Sequence, residues 1–139
     1  MKFDYKRYGK IAGKFIERPV IPILIRNPRT KQSVGYEALV DSGSDHCIFS
    51  AEIADIIGID FAAGEREDIG GVVADEKRPI YFHDVEVSIG GNVHAIRAAF
   101  MPDLSTSGHG LLGQHGFFDR FSFVKFEQTK STVELGRSL

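Results

Sequence analysis

The run Ala38-Leu39-Val40 stops at Asp41, and Ser42-Gly43-Ser44 follows before apolar residues resume at Cys47-Ile48-Phe49. No other stretch constrains the fold as much. A short apolar run bounded by turn residues reads as a buried strand. A strand that leaves the core at Asp-Ser-Gly carries one carboxylate to the lip of that core on a tight turn. Packing alone gives no reason for a charge there, so Asp41 reads as a catalytic carboxylate. The plainer alternative is an Asx turn, in which the Asp41 side chain only closes the strand end.

The preceding segment supplies that strand with a partner. Pro19 and Pro22 exclude a helix interior from 15–26 and disfavour a central strand position. Ile21, Ile23 and Ile25 alternate with Pro22 and Leu24, which predicts an extended segment buried on both faces over its second half. Residues 27–33 are a polar turn, and 34–40 return as the strand that aims Asp41. Residues 1–14 hold five Lys or Arg and little apolar periodicity. They read as a frayed or loosely docked N-terminal arm, leaving 15–139 as the domain.

Past the Asp-Ser-Gly turn, residues 50–58 carry helix signals. Ser50 can cap the free N–H groups, Ile53, Ile56 and Ile57 share a face, and Gly58 can end the helix. Residues 64–79 place Ile69-Gly70-Gly71-Val72-Val73 between charged flanks, the pattern of a mobile Gly-Gly hairpin; a plain turn is the alternative. Val85, Val87 and Ile89 alternate with polar residues, Gly90-Gly91 is a two-residue hairpin turn, and 93–100 return. Leu111-Leu112-Gly113 is a second buried fragment. Residues 114–120 are long enough for a two-turn helix, and 121–126 and 131–135 are strands. About seven strands joined mostly as hairpins, with one or two short helices, predict an all-β domain, a closed or nearly closed antiparallel barrel.

Composition excludes several functions. Seventeen basic and nineteen acidic side chains give a net charge of -2, without the basic excess of a nucleic-acid binder. No apolar run approaches the roughly 20 residues of a membrane span. No export signal is visible, so a cytoplasmic location is expected. A single cysteine, Cys47, cannot form an intramolecular disulfide. His46 and Cys47 are adjacent and would point to opposite faces of a strand, and His83, His94, His109 and His115 share no ligand spacing. No metal or cofactor is expected. Phe117, Phe118, Phe121, Phe123 and Phe126 read as core and dimer interface.

One ionised aspartate is a poor catalyst of amide hydrolysis. Two close together share a proton, so one can act as base on water while the other donates to the substrate carbonyl. The chain has one Asp-Ser-Gly and no second copy. A carboxylate pair therefore requires Asp41 from a second chain, across a twofold axis.

The sequence resembles the retropepsin-like aspartic proteases, the single-lobed homodimeric relatives of pepsin. Leu39-Val40-Asp41-Ser42-Gly43-Ser44 and the apolar run after it match the first signature of that family. Leu111-Leu112-Gly113, about 70 residues later, matches the second, and Ile69-Gly70-Gly71-Val72-Val73 sits where the family has its flap. The resemblance covers 18–136. It implies an aspartic endopeptidase, active as a homodimer on an extended peptide. By position it makes Asp41 the catalytic acid and Ser42 the brace between the two active-site loops. Gly43 and Ser44 become loop residues beside the dyad, and Gly113 the floor beneath. Asp45 becomes a holder of the substrate backbone, and Ile69, Gly70, Gly71 and Val72 the flap over the peptide. Two positions depart from the pattern. Viral members often carry Arg after the second-signature Gly, and many cellular members an acid two residues after it; here these are Gln114 and His115. That departure supports the rival reading, a catalytically inactive dimeric module that binds peptides or assembles.

Overall fold

Prolines and glycines mark the strand boundaries in the computed structural model, which describes residues 1–71, 75–105 and 108–139. Twelve strands occur among them: β1 (Lys2–Asp4), β2 (Lys6–Ile11), β3 (Lys14–Arg18), β4 (Val20–Arg26), β5 (Ser33–Val40), β6 (Ile48–Ser50), β7 (Glu65–Gly70), β8 (Lys77–Ile89), β9 (Asn92–Met101), β10 (Gly110–Leu112), β11 (Val124–Glu127) and β12 (Thr132–Leu135). One α-helix, α1 (Ala51–Ile56), follows β6, and three-residue 3-10 turns occupy Phe61–Ala63, Phe118–Arg120 and Gln128–Lys130.

Seven strands form the main sheet in the order β4-β5-β10-β6-β9-β8-β7, and β4 also pairs with β8. That extra pairing bends the sheet into a ring, with β7 added outside it on β8. The architecture is the all-β, ring-like one expected from the sequence. Pro22 fits because β8 meets β4 only at Leu24, Ile25 and Arg26, beyond the residue that lacks an N–H. Two of the ring's junctions, β5–β10 and β6–β9, are parallel. Hairpin logic could not anticipate them, because parallel neighbours are distant in sequence.

The ring closes on one large core. Ile21, Ile25, Phe49, Phe100, Leu112 and Phe117 are among its fully buried members. Ile21, Ile23 and Ile25 face inward as the alternation predicts, but Leu24 is 43 % exposed, so β4 is buried on one face only. Pairing with β8 at Leu24, Ile25 and Arg26 is along the strand edge and covers neither face, so the Leu24 side chain, on the face opposite Ile23 and Ile25, stays open. A second small cluster is built on Ile48 of β6, Ile80 and Phe82 of β8 and Ala99 of β9, with Ile69, Met101, Leu104 and Leu111 packed against it.

Local chemistry agrees with the sequence at several turns. The Ser50 side chain accepts the Glu52 N–H and caps α1. Gly90 and Gly91 both take positive φ, as a tight hairpin turn between β8 and β9 requires. Asn27 is buried, and its side-chain amide donates to the Ile57 carbonyl, tying the β4–β5 turn to the end of α1.

Two segments differ from expectation. The N-terminal residues read as an arm form strands: β1 pairs with β12, and β2 pairs with β3 in a separate ribbon. The two-turn helix expected at 114–120 is a 3-10 turn at Phe118–Arg120. Gly116 has a φ of +107°, which breaks a helix. No helix among the described residues is long and apolar enough to cross a membrane.

Candidate active site

Asp41 is the first residue beyond β5, and neighbouring strands hold it from both sides. The Val40 N–H donates to the Pro19 carbonyl at 2.9 Å, and the Asp41 N–H donates to the Leu112 carbonyl at 3.0 Å. The chain then turns: the Ser44 N–H donates to the Asp41 carbonyl at 3.2 Å, and the Gly43 N–H donates to Asp41 Oδ1 at 2.9 Å. The Asx turn is therefore present, but it uses only one carboxylate oxygen. Among the described residues Oδ2 has no hydrogen-bond or ion-pair partner. The turn fixes the carboxylate and leaves half of it available for chemistry.

A second segment is laced beneath this loop. Gln114 N–H donates to the Ser44 carbonyl at 2.8 Å, and His115 N–H to the Asp45 carbonyl at 2.9 Å. The Gln114 side-chain amide donates to the Ser42 carbonyl at 2.8 Å. The Ser44 hydroxyl donates to the His46 carbonyl at 2.7 Å. Gly113 passes so close that a Cβ on it would lie 2.5 Å from the Ser44 carbonyl oxygen and nearer still to that of His46. Gly113 is thus a floor that tolerates no side chain. Gln114, notable in the sequence only as a departure, is a main tie of the loop. Asp45, by contrast, has no ion-pair partner among the described residues.

The loop opens into a cavity of about 410 Å³. Asp41, Gly43, Ser44 and Asp45 line its floor, and Ile69, Gly70 and Gly71 line it from the β7–β8 hairpin. Residues called from sequence as active-site loop and as flap therefore share one cavity. Ser42 and Gly113 do not line it: Ser42 is exposed at the loop tip, and Gly113 lies beneath. Val72 falls outside the described residues. The cavity also has an apolar wall of Ile48 and Leu111, which lie within the two signatures without having been assigned to the site, and of Met101 and Leu104, which the sequence reading missed. The sequence reading also missed two charged hairpin residues there, Glu76 and Arg78. Arg78 pairs with Asp103 at 3.6 Å, linking the hairpin to the loop after β9. Only strand pairing brings these positions together, so spacing in the chain carried no signal for them.

Other chemistries find little support. Cys47 is fully buried, and loss of hydration pushes its thiol up to about 11. It is a neutral thiol at pH 7 and a poor nucleophile. Among the described residues no group of three or more His, Cys, Asp or Glu could hold a metal ion. The arrangement offers an anchored carboxylate with one free oxygen, in a partly apolar cleft under a hairpin.

Comparison with known proteins bears on the family and the fold. The family described as aspartyl protease matches residues 29–115, which include the Asp-Ser-Gly turn, the hairpin and Leu111-Leu112-Gly113. A retropepsin-like aspartic protease from Rickettsia conorii superposes with a TM-score of 0.63 at 18 % identity, over 84 % of this chain and 88 % of that one. The EIAV protease complexed with the inhibitor HBY-793 gives a TM-score of 0.48 at 15 % identity, over 69 % and 81 % of the two chains. A search of curated proteins gives no match.

Proposed function

Because the chain belongs to the aspartyl protease family, we propose that it is an endopeptidase in which two copies of Asp41, one from each subunit of a homodimer, activate a water. The observation that carries this reading is the Asp41 carboxylate itself. It is held by Gly43 through one oxygen, has no partner at the other among the described residues, and is set in the cleft beneath Ile69, Gly70 and Gly71.

The chemistry follows from the pair. Two facing carboxylates hold one proton between them. The ionised member takes a proton from water as the water oxygen adds to the peptide carbonyl carbon. The protonated member gives its proton to the carbonyl oxygen. The tetrahedral diol then collapses, the C–N bond breaks and the leaving nitrogen takes up a proton. The substrate lies extended in the cleft, with Asp45 and the hairpin contacting its backbone.

Several features support a dimer. Ser42 is exposed at the loop tip, and its hydroxyl makes no hydrogen bond among the described residues. At the other end of the chain, β11 pairs among the described residues with β12 alone, which leaves one edge open. Phe123 and Phe126 beside that edge are 50 % and 42 % exposed. An open edge with exposed aromatics suits a second copy.

Asp41→Asn tests the reading. Cleavage of a denatured protein substrate between pH 4 and 7 should disappear while the variant stays folded. Cleavage that persists in Asp41→Asn would overturn it. Wild-type protein that binds peptides without cutting them would instead favour the inactive binding module.

A further inference from the structure

The active-site loop borders a second concavity. A cavity of about 230 Å³ opens beside the central one, and His46 lines both. Its other walls are His115, Glu65, Glu67, Phe82 and Arg97. Strand β7 explains the continuity. Alternate residues of a strand share a face. On β7 that face is Glu65, Glu67 and Ile69: the two glutamates reach the second cavity and Ile69 the first. The intervening Arg66 and Asp68 pair with each other at 3.1 Å. An extended chain running along β7 from Asp41 would meet the second cavity next.

The charges in this cavity are unbalanced. Arg97 is already engaged: it pairs with Glu65 at 2.9 Å, reaches Asp84 at 3.9 Å and lies 5.4 Å from the Phe82 ring centre. Glu67 has no ion-pair partner among the described residues. The His46 and His115 rings lie 6.0 Å apart, and His46 meets Phe82 edge-on at 4.9 Å. Beside the two imidazoles, the lining holds two carboxylates and one occupied guanidinium. Phe82 adds an apolar wall on which a long aliphatic stem can lie.

We propose that this cavity is a side-chain subsite that selects Lys or Arg in the substrate, held chiefly by Glu67. The proposal rests on the peptidase reading and names the substrate class of that same site. In a twofold-symmetric dimer the subsite occurs once on each side of the scissile bond.

A diverse peptide library tests it in two arms: cleavage by wild type, and binding by Asp41→Asn, each read by mass spectrometry. The expected result is about threefold enrichment of Lys and Arg at two fixed positions, one on each side of the scissile bond, the scale of a single exposed charge pair. Glu67→Lys in either background should abolish it. Basic enrichment in the binding arm without cleavage in the other keeps the subsite and removes the peptidase reading. Three outcomes overturn the subsite: peptides cut or bound with no basic preference, a preference unchanged by Glu67→Lys, or no binding and no cleavage at all.

Discussion

Gly113 is the residue at which fold and site meet most tightly. A methyl group there would collide with two backbone carbonyls of the Asp41 loop, Ser44 and His46, and neither can move without shifting the turn. Gly113→Ala should therefore lower stability by about 2–4 kcal/mol, the range of strong steric and packing defects, and abolish cleavage. Denaturant melts with a parallel activity assay would show both. Cys47 gives a second prediction at this scale. Its thiol titrates near 9.0 when hydrated and near 11 in the folded chain, because burial disfavours the thiolate. Between those values the unfolded chain has lost the proton and the folded chain keeps it. Stability then falls as pH rises, by about 1.4 kcal/mol per pH unit from this group. Urea melts at pH 8.5 and 10.5 should show a steeper alkaline loss in wild type than in Cys47→Ala. Equal slopes would count against it. Asp41 was legible in the sequence because it breaks an apolar run in a way packing does not explain, whereas Gly113 was marked only by the resemblance of Leu111-Leu112-Gly113 to the second family signature. Gln114 was visible only as a departure from pattern, because its role depends on where its side-chain amide points, toward the Ser42 carbonyl.

At the scale of elements, the site is two short segments fastened together. β10 lies between β5 and β6, and the residues after it bond to the loop after β5. Gln114→Ala removes one of these ties and should cost about 1 kcal/mol, the net worth of one hydrogen bond. Its effect on cleavage should exceed its effect on melting, because the tie holds the loop that carries Asp41. Ser50→Ala removes the α1 cap and should cost about 1 kcal/mol with little effect on cleavage. A paired activity and stability measurement on the two variants separates the roles. Strands were the legible elements, since Pro, Gly and period-two alternation mark them in the chain. The failed helix at 114–120 has a physical cause. Its length and composition permit a helix, but Gly116 turns the chain at a φ of +107°, which a right-handed helix cannot contain. The parallel junctions β5–β10 and β6–β9 were hidden for a different reason: each joins segments whose patterns do not name their partners.

For the whole molecule, the ring buries one core and leaves two features facing outward, the Ser42 tip and the β11 edge. In the proposed dimer both would face the second copy. Phe126→Asp places a charge on that edge and should shift the protein to monomer in sedimentation. Cleavage should fall with the dimer fraction and return as concentration rises. The most direct measurement mixes wild-type chains with Asp41→Asn chains after unfolding and joint refolding. If one Asp41 from each chain forms the site, mixed dimers are inactive, and activity at constant total protein follows the square of the wild-type fraction. It should drop to about one quarter at equal amounts. Activity proportional to the wild-type fraction, about one half at equal amounts, would mean that each chain works alone and would contradict the shared site.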